Sequence, residues 1–210
     1  MQLCEYKGKY IDMQIDQKLL ELKDFAKNNG VPIVRDITAK RLEAEVTKRK
    51  PKRILEIGTA IGYSALIMLQ CARDAEIVTI EKDTDRYNMA CDTLKDFNSV
   101  KAINGDAYEV LDRLIADGEK FDFVFLDGPK GFYYRYLVKI EQLLNNNACI
   151  FADNIGFFGM VKSNKYPHRH KTIVVSLQNY LARVSQPPFS SVIEYDIDDG
   201  FAISDYKENI

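Results

Sequence analysis

No stretch of the 210 residues approaches the ~20 consecutive apolar positions that a membrane-spanning helix requires. The opening M-Q-L-C-E-Y-K-G-K also lacks the apolar core of a secretory leader. These two absences argue for a cytoplasmic protein without a membrane partner. Cysteine is scarce: Cys4, Cys71, Cys91 and Cys149 show no C-x-x-C or finger-like spacing, which excludes a disulfide framework and a structural zinc site. They read as reduced thiols, Cys149 lying inside an apolar strand. The only histidines, His168 and His170, fall in a basic segment where a solvated or phosphate-facing role outranks metal ligation. No repeat, linker or low-complexity tract divides the chain, and its length suits one domain. A net charge of −2 excludes a polybasic nucleic-acid binder for the chain as a whole. Acid is nevertheless missing locally. Ile155 to Ile193 holds no Asp or Glu, yet it carries Lys162, Lys165, Arg169, Lys171 and Arg183.

The most informative segment, Glu56 to Ser64, reads E-I-G-T-A-I-G-Y-S between an apolar strand seed and the apolar helical stretch Ala65 to Leu69. A strand that ends in an acid and turns on Gly58 and Gly62 brings backbone N–H groups up to a ligand at the carboxyl edge of a sheet. The G-x-G-x-x-G of a dinucleotide site is absent, since Thr59, Ala60 and Ile61 separate the two glycines. This disfavours a nicotinamide oxidoreductase. Glu56 would repel a pyrophosphate but tolerate a zwitterionic or cationic ligand. S-adenosylmethionine, with its sulfonium and ammonium, is such a ligand.

Along the chain, Ile15, Leu19, Leu22 and Phe25 set a helical period over Met13 to Phe25, and a second helix follows from Thr38 to Arg49. Beyond Pro51 strands alternate with helices. The strands are expected at Arg53 to Ile57, Glu76 to Ile80, Val100 to Asn104, Phe121 to Leu126 and Cys149 to Ala152. Helices are expected at Asp85 to Phe97, Tyr108 to Ile115 and Tyr134 to Leu144. Such alternation predicts a parallel doubly wound sheet. Ile155 to His170 reads as a long connection, Thr172 to Arg183 as a helix, and Ser191 to Tyr195 with Phe201 to Ser204 as a hairpin turning at Asp198-Asp199-Gly200.

Polar residues mark the expected strand ends. Glu81 is suited to accepting two ribose hydroxyls, and Gly105-Asp106-Ala107 can meet an adenine edge. Any one such acid could equally be a helix cap. Five successive strand ends carrying an acid are harder to dismiss. Asp127, Asp153 and Asn154 would form an oxygen-only set suited to Mg²⁺ or Mn²⁺ rather than zinc, although an Asx turn could also explain Asp153-Asn154.

E-I-G-T-A-I-G-Y-S, Glu81, G-D-A, F-L-D-G-P-K-G, A-D-N and the terminal D-G-F-A-I-S together resemble the metal-dependent O-methyltransferases related to catechol and caffeoyl-CoA methyltransferases, over roughly Val31 to Ser204. Within that group the chain looks most like the compact bacterial tRNA 5-hydroxyuridine methyltransferases. The resemblance implies a single-domain, Rossmann-like class I methyltransferase of α/β class. Its sheet would have seven mostly parallel strands with a C-terminal antiparallel hairpin, residues 1–50 forming an N-terminal helical cap and residues 51–210 the core. It implies S-adenosylmethionine contacts at Val34, Glu56, Gly58, Thr59, Ser64, Glu81, Asp106, Ala107 and Asp127, metal ligands at Asp127, Asp153 and Asn154, and a catalytic lysine at Lys130. Here that motif reads D-G-P-K-G rather than the D-H-x-K of the catechol enzymes. The implied substrate is 5-hydroxyuridine in a tRNA anticodon loop; from the charge pattern, Arg135, Lys162, Lys165, Arg169 and Lys171 either track its phosphates or form a solvated basic surface. The alternative is a small catechol or hydroxycinnamoyl-type acceptor. Relatives also suggest a homodimer.

Overall fold

A computed structural model describes residues 2–208, with side chains from residue 13 onward. Seven strands form one sheet: β1 (Arg53–Ile57), β2 (Glu76–Glu81), β3 (Val100–Asn104), β4 (Phe121–Leu126), β5 (Leu144–Asp153), β6 (Phe189–Glu194) and β7 (Phe201–Tyr206). Their order across the sheet is β3-β2-β1-β4-β5-β7-β6. The first five pair in parallel, while β7 lies antiparallel between β5 and β6. The chain leaves β1 toward one edge and later returns to place β4 on β1's other side. The crevice beyond β1 and β4 is therefore the switch point where ligands of open α/β sheets bind.

Alternation along the strands feeds two apolar layers. Leu55 and Ile57 of β1 with Val124 and Leu126 of β4 face helices α5 (Ala107–Ala116), α6 (Tyr133–Ile140) and α8 (Lys171–Val184). Ile54, Phe123 and Phe125 face α1 (Gln2–Asn29), α2 (Asp36–Arg49), α3 (Tyr63–Cys71) and α4 (Thr84–Leu94). Helix α3 is buried over Tyr63 to Leu69, which explains why its sequence is apolar all round. Among the described residues no helix is long and apolar enough to cross a membrane.

The expected elements are present, with bounds corrected in places. The helix expected to reach Leu144 stops at Ile140, passes through a 3₁₀ turn at Glu141–Leu143, and gives Leu144 to β5, where it pairs with Phe121. The polar run Asn145-Asn146-Asn147 disguised this start of the strand. A register shift between Phe121 and Phe123 absorbs it. Helix α4 ends at Leu94 rather than Phe97, whose buried ring prolonged the apparent helical period. The connection Ile155 to His170 contains a short helix, α7 (Met160–Ser163), and a 3₁₀ turn at His168–His170. The hairpin turn is tied down as well. Asp198 Oδ2 accepts from the Thr38 hydroxyl at 2.8 Å, and Asp199 Oδ1 accepts from the Phe158 backbone N–H at 2.6 Å.

Candidate active site at the sheet switch point

The strand ends define the site because backbone bonds fix their relative height. Gly58 N–H donates to Ile80 O at 3.0 Å and Asp127 N–H to Ile57 O at 2.9 Å, so the ends of β2, β1 and β4 stay together as the chain turns away. Gly58 takes φ +104°, and an added Cβ would lie 2.5 Å from Asp127 O. Only glycine meets both demands. A cavity of about 410 Å³ opens there, lined by Gly58, Glu81, Ala107, Asp127, Lys130, Asp153 and Asn154 among others.

Glu81 accepts backbone N–H groups from Ala60 and Asp83, both at 2.9 Å, and these lock its carboxylate at the cavity wall. Its remaining lone pairs can accept hydroxyl donors. If they bind a ribose diol, Glu81→Ala should weaken S-adenosylhomocysteine affinity by about tenfold or more, two charge-assisted hydrogen bonds being lost. Titration calorimetry checks this, and unchanged affinity would put the ribose elsewhere.

The reactive end lies where β4 and β5 finish. Lys130 enters on a 3₁₀ turn, Lys130–Phe132, and its Nζ sits 2.6 Å from Asp127 Oδ1. Asp153 is 3% exposed and its Oδ1 accepts its neighbour Asn154's N–H at 2.7 Å. Burial, followed by the charge of Asp127, pushes the Asp153 carboxyl up to about 7. Asn154 takes φ +52°, a left-handed conformation that asparagine tolerates well. Two carboxylates and an amide oxygen, one acid crowded by the other and already attracting an ammonium, fit a hard divalent cation. Among the described residues no group of three or more His, Cys, Asp or Glu side chains is placed to hold a metal ion, so a cation here would rest on two carboxylates and an amide.

Several expected contact residues lie behind this lining rather than in it. Glu56 is fully buried one residue before the end of β1, on the face toward α3, and accepts from the Thr79 hydroxyl. That hydroxyl also meets Thr59 Oγ1, and Thr59 is itself buried. Ser64 is buried in α3 against the same group. The strand therefore ends on Ile57, and the acid braces the glycine turn from beneath. Burial pushes Glu56 up to about 7, the hydroxyls of Ser64 and Thr79 opposing and the charges of Asp127 and Glu81 adding. A folded-state value above the ordinary 4.5 means that ionisation costs stability as pH rises through this interval. Glu56→Gln should flatten the loss of ligand-free stability between pH 4.5 and 7. Calorimetric unfolding of both proteins across that window would show it, and identical slopes would count against it.

Asp106 caps α5, its Oδ1 accepting from Tyr108 N–H at 2.9 Å and its Oδ2 from Lys82 at 2.8 Å. Its hydrogen bond to Lys82 and the bond to Tyr108 hold its carboxyl below the ordinary range. Its neighbours Gly105 and Ala107 line the cavity instead. Val34 is buried, while Pro32, Ile33 and Arg35 from the same crossing segment reach the lining. Sequence reasoning missed these three and also Arg86 and Tyr136. The helical spacing of Tyr133 and Tyr136 was the available signal for the last.

Arg35 also lines a neighbouring cavity of about 420 Å³ with Phe158, Lys162, Tyr195 and Asp199. The expected basic set does not converge. Lys162 sits in this second cavity, 3.6 Å from Asp196, whereas Arg135 and Lys171 line a separate cleft between α6 and α8. Lys165 and Arg169 are exposed on the connection.

Comparison with known proteins agrees with this architecture. Over 119 residues the chain is 32% identical to the caffeoyl-CoA O-methyltransferase of Stellaria longipes, a match covering 53% of this chain and 49% of that protein. The structure of an inferred caffeoyl-CoA O-methyltransferase from Staphylococcus aureus superposes with TM-score 0.80 at 28% identity, covering 96% of this chain and 99% of the other. An O-methyltransferase from Bacillus cereus, solved in complex with SAH, gives TM-score 0.81 at 22% identity over 91% of each chain, a likeness of fold. A family model described as O-methyltransferase matches residues 9–205, a span that holds every strand end lining the cavity. The chain belongs to the O-methyltransferase family.

Proposed function

We propose that this chain transfers the methyl group of S-adenosylmethionine to a hydroxyl of a small catechol or hydroxycinnamoyl-type acceptor that carries a second oxygen on the adjacent carbon. The observation that carries the reading is the meeting of Glu81, Asp127, Lys130, Asp153 and Asn154 in one cavity at the switch point. Glu81 would hold the ribose, the backbone at Gly105 and Ala107 the adenine, and the turn at Gly58 the methionine end. Asp127, Asp153 and Asn154 would hold Mg²⁺ or Mn²⁺. Such a cation, when bound, lowers the pKa of an acceptor hydroxyl and orients its two vicinal oxygens. Lys130 stands beside Asp127, where its ammonium stabilises negative charge on the acceptor oxygen. With its proton released to solvent, that oxygen would take the methyl carbon in line as the carbon–sulfur bond breaks, leaving a neutral thioether.

A second reading keeps the same chemistry on 5-hydroxyuridine of a tRNA anticodon loop, its 5-hydroxyl lying beside the O4 carbonyl. It is favoured by the cleft where Arg135 and Lys171 stand beside the half-exposed rings of Phe132 and Tyr134, a setting suited to phosphates and stacked bases. The caffeoyl-CoA relatives favour the small acceptor. Parallel assays with labelled S-adenosylmethionine decide. Label should enter catechol or caffeoyl-CoA, and label entering only hydroxyuridine-containing tRNA would reverse the order. Homodimeric assembly and a cytoplasmic location remain part of the proposal, the former open to sedimentation analysis.

A further inference from the structure

We propose that Tyr133 is a positioning residue that sets the separation of the Asp127 and Asp153 carboxylates by joining the carboxyl ends of β4 and β5. This rests on the reading of the site given above. The parallel ladder between the two strands has its last paired residues at Leu126 and Ala152. Both carboxylates lie just beyond, where ladder bonds no longer hold the strands at a common distance. The Tyr133 hydroxyl stands there, 2.8 Å from Leu126 O and 2.9 Å from Asp153 O. One phenolic proton serves two carbonyl acceptors in a three-centre arrangement. One acceptor belongs to the residue before Asp127 and the other to Asp153 itself, so the backbone of each carboxylate is anchored to the same atom.

The ring is as constrained as the hydroxyl. Tyr133 is fully buried, meets Tyr180 edge-on at 5.7 Å between centroids, and carries Lys130 Nζ 5.3 Å from its own centroid. The short turn from Lys130 to Phe132 and the first residue of α6 together deliver two linked groups, an ammonium to Asp127 and a hydroxyl to the strand ends behind it. Removing the hydroxyl alone leaves the two buried carbonyls without this donor. The strand ends can then part, and the donor set loosens while the wall at Glu81 stays intact.

Tyr133→Phe separates this role from simple core filling, because the ring remains. Mn²⁺ affinity, read by electron paramagnetic resonance, should fall by about tenfold, the usual order for losing a group that orients metal ligands. S-adenosylhomocysteine affinity should be unchanged. Installing p-aminophenylalanine at position 133 supplies two N–H donors, one for each carbonyl, and should restore Mn²⁺ binding. Equal Mn²⁺ affinity in wild type and Tyr133→Phe would overturn the proposal, as would an aminophenylalanine protein that binds no better than Tyr133→Phe. A wild-type protein that binds no Mn²⁺ would overturn the reading of the site itself, and the clamp with it.

Discussion

Asp153→Asn should abolish methyl transfer, lowering kcat by a factor on the order of 10³ or more, without unfolding the protein. The substitution is nearly isosteric, and the amide oxygen can still accept the Asn154 N–H that Asp153 Oδ1 holds at 2.7 Å. What disappears is one of two anionic oxygen donors at the reactive end. The effect on stability has the opposite sign. Burial and the charge of Asp127 push the Asp153 carboxyl up to about 7, so folding favours its protonated form. Its favourable contribution is present at low pH and is lost as pH rises through 7. Above that value the wild-type protein carries a buried charge that the asparagine protein lacks. Ligand-free Asp153→Asn should therefore melt no lower than wild type in mildly alkaline buffer, while its turnover vanishes. Calorimetry paired with a methyl-transfer assay checks both halves. Normal turnover would remove Asp153 from the chemistry, and a large drop in Tm would make its role structural.

Gly58→Ala should cost both stability and cofactor binding, for a reason a count of contacts would miss. A methyl group at this position would stand 2.5 Å from Asp127 O and 2.9 Å from Asp127 C, and both are backbone atoms that cannot swing aside. The residue also holds φ +104°, which side-chain-bearing residues rarely adopt. Relief requires β1 and β4 to part at the point where the cavity opens, so strain of about 1–3 kcal/mol should accompany an S-adenosylhomocysteine affinity at least about 100-fold weaker. Gly118→Ala is the control. It too has positive φ, +70°, but nothing lies within 4 Å of its added carbon, so it should lose about 1 kcal/mol and bind the cofactor product normally. Equal behaviour of the two variants would show that backbone conformation alone, rather than the approach to Asp127, governs position 58.

Much of this arrangement was legible in the residues because parallel strands buried on both faces leave continuous apolar runs, and the polar residues that follow fall at ligand height. The run Phe121 to Leu126 with Asp127 after it needed only local pattern. Asn145 to Asn147 did not reveal β5, since its early pairing depends on a register shift set by β4 rather than on its own side chains. Glu81, Asp127 and Asp153 reach the cavity lining because each stands at or just past the end of a strand, a position the sequence pattern marks. Glu56 stands one residue before the end of β1 and is buried behind the lining. Alternation turns its side chain beneath the glycine turn, where the Thr79 and Ser64 hydroxyls meet it, and no local signal distinguishes an acid in a lining from an acid behind one. The basic residues failed to converge for a related reason. Proximity in sequence within an irregular connection carries no information about which depression each side chain enters, and Lys162 is drawn to Asp196 on the hairpin. Arg35 reaches the site from the far end of the chain, a non-local approach that only the folded packing of α2 against the hairpin reveals.

Methyl transfer to an oxygen that has a second oxygen as its neighbour can be followed with a ¹³C-labelled methyl group on S-adenosylmethionine, by NMR and mass spectrometry. With catechol as acceptor and Mg²⁺ present, one new O-methyl signal should appear per S-adenosylhomocysteine formed, and none when phenol, which lacks the vicinal oxygen, replaces catechol. A methyl group appearing on carbon or nitrogen, or equal transfer to phenol and catechol, would contradict the proposed reaction.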